Sequence, residues 1–260
     1  MIFNKKKILE NIKTVIYALI IAIIIRSFFF QPFYIPSSSM EPTLLVGDRL
    51  FVSKFTYGYS KHSFPFSPNF SKHRFFYKKP KRGDVVVFKT PSDNRTDYVK
   101  TLIGLPGDKI QVKNGILYIN NTIVERDSVI NSSIKVHNNY LNEFDYVEVL
   151  PNGRKHIVRE LKGDNSPSDN TIIYTVPENN FFLMGDNRDN SIDSRVLNYV
   201  GFVPFENIVG KAEIIFFSID RNVYGLTKFW KWKIRFDRIG KLINKKVNIF
   251  YESSWIREKD

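Results

Sequence analysis

Three serines in a row, Ser37, Ser38 and Ser39, stand between Pro36 and the run Met40-Glu41-Pro42. Prolines on both sides make this a loop, where a hydroxyl can meet a substrate. A serine becomes a nucleophile only beside a base. The chain has no cysteine, which excludes thiol nucleophiles, disulfides and cysteine-bound zinc. Its four histidines, His62, His73, His137 and His156, have no metal-ligand spacing. His62 adjoins Ser63 but has no acidic residue near it, so local sequence gives a histidine triad no support.

Lysine is the next candidate base. Lys100 interrupts the apolar run Tyr98-Val-Lys-Thr-Leu-Ile103, ahead of Gly104-Leu-Pro-Gly-Asp108. On a strand it shares a face with Tyr98 and Leu102. An unperturbed lysine titrates near about 10.4, so half-neutrality at pH 7 needs a lowering of about 3.4, or roughly 4.6 kcal/mol. Burial in apolar surroundings can supply about that much. The chemistry is open to Lys100 only if its amine is kept from water.

A third constellation is Gly185-Asp-Asn-Arg-Asp-Asn-Ser-Ile-Asp-Ser-Arg195. Its density of Asp and Asn raises a calcium loop, but the spacing fails. Counting from Asp186, the third position is Arg188 and the twelfth is Leu197; from Asp189, the sixth is Ser194 and the twelfth is Val200. Neither frame has the central glycine or terminal glutamate of an EF-hand. A hydrogen-bonded loop with internal Asp–Arg pairs, holding hydroxyls such as Ser191 and Ser194, fits better.

The elements that must position these residues are mostly strands. Short runs at 49–52, 84–88, 99–103, 110–112, 116–119, 171–176, 181–184 and 212–217 are separated by turn signals such as Asn114-Gly115 and Asn152-Gly153. The pattern predicts a mainly β, antiparallel protein, with helical periodicity after residue 30 only near 225–240. Residues 120–170 are polar and Asn-rich, and belong to an inserted smaller β subdomain over 111–178. The catalytic β core then comprises 31–110 and 179–243, and 244–260 form a C-terminal extension.

Ahead of the serines lies an apolar segment. Residues 15–25 carry no charge, and the stretch 12–30 is 19 residues long with Lys13 and Arg26 near its ends. That is close to the 20 residues a membrane helix needs, with terminal cations able to snorkel. No small-residue cleavage pattern follows, so the reading is an uncleaved single-pass anchor at 14–30 behind a basic tail at 1–13. The tail belongs in the cytoplasm and the rest of the chain outside.

The 260 residues carry 39 Lys and Arg against 26 Asp and Glu, a net charge of +13, with 43% hydrophobic residues. Such a composition excludes wholesale disorder and points to an anionic partner. Residues 55–82 interleave aromatics such as Phe55, Tyr57, Phe75 and Phe76 with cations including Arg74, Lys78 and Arg82. Phe229, Trp230 and Trp232 alternate with lysines further on. Stacking on single-stranded nucleic acid and contact with lipid headgroups both fit this chemistry. A domain tethered at a bilayer meets lipid first, so a phospholipid surface is expected and nucleic acid is not.

With these motifs in order, the chain resembles bacterial type I signal peptidases. The match runs from Arg26-Ser-Phe-Phe-Phe-Gln-Pro-Phe-Tyr-Ile-Pro-Ser-Ser-Ser-Met-Glu-Pro-Thr-Leu44 to the region around Gly240, through Gly47-Asp48, Lys81-Arg-Gly-Asp-Val-Val-Val-Phe-Lys89, Tyr98-Val-Lys100 with Gly104-Leu-Pro-Gly-Asp108, the 185–195 run and Gly201-Phe-Val-Pro204. The resemblance implies a membrane-anchored Ser/Lys dyad endopeptidase of the bacterial plasma membrane, its catalytic domain on the periplasmic side, that removes signal peptides through an acyl-enzyme. It implies Ser39 as nucleophile, a choice the residues alone leave open among the three serines, and Lys100 as general base. It implies the Ser37 side chain and Ser39 N–H as an oxyanion hole, Ser191 as the hydroxyl orienting Lys100, and Asp193 with Arg195 as structural support. Phe33, Ile35, Pro36, Met40, Leu44, Tyr98 and Val99 match pocket-wall positions. The implied substrates are exported preproteins with small residues at −1 and −3, with no metal and no organic cofactor. Some members have glycine where this chain has Ser38, a strained exchange if that position needs positive φ. The alternatives to this reading are a self-processing or regulatory Ser/Lys protease and a non-enzymatic lipid-binding module.

Overall fold

The computed structural model describes residues 5–65, 67–68, 73–129, 144–161, 166–220 and 233–243. The expected 244–260 extension and the aromatic-lysine run around Trp230 lie outside the described residues.

Helix α1, Lys5–Phe28, contains the 20-residue apolar stretch Leu9–Phe28, of which 6% is buried. At about 1.5 Å per residue the stretch is about 30 Å long, the thickness of a bilayer's hydrocarbon. A core helix of this composition would be covered by protein, and this one is bare. The helix starts well before residue 14, because nothing in the basic tail breaks it. It ends at Phe28 rather than 30, since Pro32 lacks a backbone donor and holds its neighbour extended.

The chain then runs straight into strands: β1 Phe30–Tyr34, β2 Asp48–Ser53, β3 Val85–Lys89, β4 Asp97–Gly104, β5 Lys109–Lys113, β6 Ile116–Ile119, β7 Thr122–Ile123, β8 Glu125–Ser128, β9 Asp145–Val149 and β10 Lys155–Arg159. After these come β11 Tyr174–Thr175, β12 Asn180–Met184, β13 Val203–Pro204, β14 Ile208–Asp220 and β15 Lys233–Ile234. A curled antiparallel sheet has the order β1-β2-β14-β3-β4-β12-β13, with β15 beside β14. The fold is mainly antiparallel β, as its alternating runs predict. Pro32 is tolerated because β1 is an edge strand.

Two smaller sheets, β11-β5-β6-β7 and β10-β9-β8, come from the middle of the chain. The apolar residues of the first do not form a separate core: Ile110, Leu117 and Val176 cluster with Ile103, Phe182 and Met184 of the main sheet. Two local expectations differ from the structure. The run 171–176 pairs only at Tyr174–Thr175, because Thr171 bonds Val112 through both its hydroxyl and its N–H. The described part of 225–240 is not helical. It holds β15 and a short 3-10 turn, Phe236–Arg238, whose Arg238 is wholly buried against Asp48, Nη2 to Oδ2 at 2.6 Å.

That buried pair fixes the chain just past the serines. Arg238 also donates to the Thr43 carbonyl and Arg235 to the Val46 carbonyl, while Asp48 accepts from Ser218 and from Leu45 N–H. Beneath the loop Met40, Leu44, Leu50 and Val85 pack as one cluster.

Candidate active site

The serine loop joins β1 to β2, and Lys100 lies in the middle of β4, opposite Val86 of β3. At residues 101–104 β4 also pairs with β12, but at 97–100 it has β3 on one side and no described strand on the other. The curl of the sheet brings that bare edge to the serine loop. Lys100 Nζ lies 2.6 Å from Ser39 Oγ. The residue is 3% exposed. Burial lowers the amine from its ordinary value to about 8, opposed by the charges of Asp193 and Asp186 and helped by Arg195. About a tenth of the amine is then neutral at pH 7. The lowering is smaller than half-neutrality at pH 7 requires because two carboxylates stand nearby.

Of the three serines, only Ser39 touches the amine. Ser37 Oγ is 3.4 Å from Ser39 Oγ, and Ser38 Oγ is turned away to accept from Asn190 Nδ2 at 2.8 Å. Ser38 does not have positive φ, so a side chain is accommodated there without backbone strain. The Ser39 N–H has no acceptor among the described residues.

The 185–195 segment closes over this loop. Asn187 donates through its backbone N–H to the Ser39 carbonyl and through Nδ2 to the Ser38 carbonyl, both at 3.1 Å. Gly185 donates to Asp193 Oδ2 at 2.9 Å, and Asp193 binds Arg195 through both oxygens at 2.9 and 2.8 Å. Burial pushes the Asp193 carboxyl up, but the Arg195 charge and hydrogen bonds outweigh it, and the net effect is downward. Ser194 exchanges bonds with Leu183 of β12 and so ties the segment to the sheet.

A cavity of about 570 Å³ opens above Ser39 and Lys100. Phe33, Ile35, Pro36, Met40, Tyr98 and Val99 all line it. Leu44 does not: it is fully buried in the cluster behind the wall. Ser191 lines the cavity, but among the described residues its hydroxyl is buried without a partner and makes no hydrogen bond to Lys100. Its close neighbour is Gly185, where an added Cβ would lie 2.2 Å from Ser191 Oγ and 2.6 Å from the Ser39 carbonyl oxygen.

Several residues here escaped sequence reasoning. Gly185 and Asn187 hold the serine loop, and Thr96 lines the cavity two positions before Tyr98, on the face that β alternation already assigns to Lys100. Behind the site, Arg188 grips Glu148, and Glu148 accepts from His156. Neither His156 nor His62 lines the Ser39 cavity. Glu160, Asp169 and Asp189 bring carboxylate oxygens within 4.8 Å of one another, a set able by type to hold a cation. Burial lifts the Glu160 carboxyl to about 8, so it is largely protonated at pH 7 and offers little charge to a metal. Of the surface cations read at 55–82, Arg74 and Arg82 are instead buried, one on the Gly58 and Phe205 carbonyls and the other on Asp108.

A serine hydroxyl bonded to a buried amine, on the open edge of a curled β sheet behind an apolar helix, has the makings of a membrane-associated serine hydrolase with an amine base. Residues 8–217 match the family model described as signal peptidase, peptidase S26, and the chain belongs to that family. It is 41% identical over 223 residues to a signal peptidase I of Rickettsia typhi, spanning 83% of this chain and 82% of that one. It is 43% identical over 214 residues to a signal peptidase I of Rickettsia akari, spanning 79% and 78%. A solved signal peptidase I from Enterococcus faecalis is 29% identical and covers 52% of this chain and 97% of its own, with a TM-score of 0.31.

Proposed function

We propose that this serine peptidase removes signal peptides from exported preproteins with Ser39 as nucleophile and Lys100 as general base. The observation that carries the proposal is the 2.6 Å contact between Ser39 Oγ and a lysine amine held down at about 8. The neutral amine takes the Ser39 proton as Oγ attacks the scissile carbonyl. The developing oxyanion is met by the Ser39 N–H and the Ser37 hydroxyl, each donor of this kind being worth about 2.7–4 kcal/mol. The Lys100 ammonium then protonates the departing amine, leaving an ester on Ser39. Lys100, neutral again, deprotonates the water that hydrolyses it.

Ser191 acts here as the hydroxyl that orients the amine once substrate is bound, a role supported by its unpartnered hydroxyl in the same cavity. Asp193 and Arg195 brace the segment that carries it. An extended substrate pairs with the bare edge of β4 at 97–100. Phe33, Val99 and their apolar neighbours then admit only small side chains at −1 and −3. The basic segment stays in the cytoplasm and the β domain sits on the outer face of the plasma membrane, by the positive-inside rule. Exposed Phe55, Phe75 and Phe76, with the T-shaped Phe28–Tyr59 and Phe30–Phe55 pairs at the helix end, form a surface suited to the lipid interface. Cleavage of a signal-bearing preprotein in detergent tests the proposal. Ser39→Ala and Lys100→Ala should each abolish it, and normal turnover by either would reject the dyad.

A further inference from the structure

A second cavity, of about 440 Å³, opens where α1 meets the β domain. Five cations line it: Arg26 from the last turn of the helix, Lys54, Lys61, Lys89 and Arg95. Among the described residues only two carboxylates share the space, and both are already engaged. Asp97 pairs with Lys89 at 2.9 Å, and Asp93 accepts from the hydroxyls of Thr90 and Thr96 and from the N–H groups of Arg95 and Thr96. The floor is buried. Lys54 is 2% exposed, yet among the described residues its amine, with three donors, has one partner, the Ser63 carbonyl. His62, 5% exposed, meets the Ser67 hydroxyl through Nδ1 at 3.1 Å and, among the described residues, leaves Nε2 buried with no partner.

Buried cations are ordinarily paired, because desolvation otherwise costs more than burial returns. Here the positive side chains are crowded with too little negative charge. Burial, with Arg26 and Lys89 nearby, holds the Lys54 amine down at about 8. Burial, with Lys61, Lys89 and Arg74 nearby, holds the His62 imidazole down at about 4. A phosphate oxygen in the cavity would answer both, accepting from Lys54, Arg26 and Lys61 and receiving the unused His62 nitrogen as a donor.

We propose that this cavity binds the phosphate of an anionic phospholipid headgroup, between Arg26 at the end of the anchor helix and the buried floor of Lys54 and His62. A bilayer is the source because the cavity adjoins the end of a 20-residue apolar helix, the level at which lipid phosphates lie. The inference rests on α1 crossing the membrane and is independent of the Ser39–Lys100 assignment.

The test uses the full chain in detergent micelles, titrated with dihexanoyl phosphatidylglycerol, dihexanoyl phosphatidylcholine or inorganic phosphate. Thermal midpoint and the His62 imidazole resonance are followed together. Phosphatidylglycerol should raise the midpoint saturably and move the His62 titration upward by about one pH unit or more. The other two ligands at equal concentration should do neither. The variant Arg26→Gln/Lys61→Gln, which leaves the buried floor intact, should bind phosphatidylglycerol about tenfold more weakly or worse, while Lys113→Gln, at an exposed position on β5, should bind as the parent does. Lys61→Gln alone, at a half-buried position, serves if the double variant does not fold. An equal response to phosphatidylcholine or to inorganic phosphate, or undiminished affinity in the Lys61 variants, would overturn the headgroup site. Preprotein cleavage by the same variants and retention of the parent in carbonate-washed membranes are measured alongside. Loss of retention would overturn the anchoring and the lipid source with it, whereas failure of the parent chain itself to cleave preprotein would count only against the peptidase reading.

Discussion

Gly185 stands so close to Ser191 that a single methyl on its Cα would lie 2.2 Å from the Ser191 hydroxyl and 2.6 Å from the Ser39 carbonyl oxygen. The φ of Gly185 is not positive, so the constraint is space and not backbone conformation. The serine loop and the 185–195 segment touch here with only a hydrogen atom between them. Gly185→Ala should therefore push the nucleophile out of register. Displacements of about 1 Å at such sites cost on the order of 10²-fold in rate, and overpacking of this kind about 1–3 kcal/mol in stability. The expected outcome is a large fall in kcat with a modest fall in Tm, read from preprotein cleavage and thermal unfolding. A variant with parental kcat would show that the loop can yield.

The rate should follow the neutral fraction of Lys100. Its amine is lowered to about 8, so kcat/KM should rise about tenfold per pH unit below that value and level off above it. The sign follows from the role: a general base acts only after losing its proton. A peptide-cleavage profile from pH 6 to 10 measures this, and a limb near about 10.4 would mean an amine in water.

Replacing Lys100 by Met removes the amine while nearly conserving volume in the 3%-exposed site. Cleavage should fall on the order of 10³-fold or more, and Ser39→Ala should fall as far, because the two act as a unit. Their double variant should be no worse than either single one. Additive losses would indicate separate roles.

His156 lies between Glu148, with Nε2 at 3.0 Å, and Asp186, with Nδ1 at 3.6 Å. Burial pushes the imidazole down, but the Glu148 hydrogen bond and the charges of Asp186 and Glu148 prevail and raise it. A raised histidine contributes stability that is complete below its unfolded value near 6.5 and is lost as pH climbs through the folded one. Thermal midpoints of the parent should decline across that window, and His156→Gln should start lower and decline less. Parallel curves for the two proteins would exclude the imidazolium as the cause.

Asp48 is buried with Arg238 and sets the chain leaving the serine loop. Arg238→Met should take the 2.6 Å countercharge from the buried carboxylate, leaving it to Ser218, the Leu45 N–H and Arg235, and destabilise the domain by about 3–5 kcal/mol. The companion change Asp48→Asn in the same chain should recover part of that loss. Thermal unfolding of the three variants decides it.

Much of this protein is legible in one dimension. The long apolar helix α1 is written as the uncharged run 15–25 with cations near its ends, a length that can match a bilayer's hydrocarbon. Strands such as β3, β4 and β12 show as apolar runs because both of their faces are covered. The polar strands β9 and β10 do not, since Glu148 and Arg159 are buried in ion pairs and read as surface residues until their partners are known.

The site divides in the same way. Residue types made a serine and a lysine the leading candidates once cysteine was absent and histidine locally unsupported, and the family resemblance supplied the positions proposed for them. Only the fold could take Ser39 and Lys100, 61 residues apart, to 2.6 Å, strip water from the amine, and turn Ser38 toward Asn190 instead. Those outcomes depend on how a sheet curls and what covers its open edge. They are sums over many distant contacts, and no local window of sequence contains them.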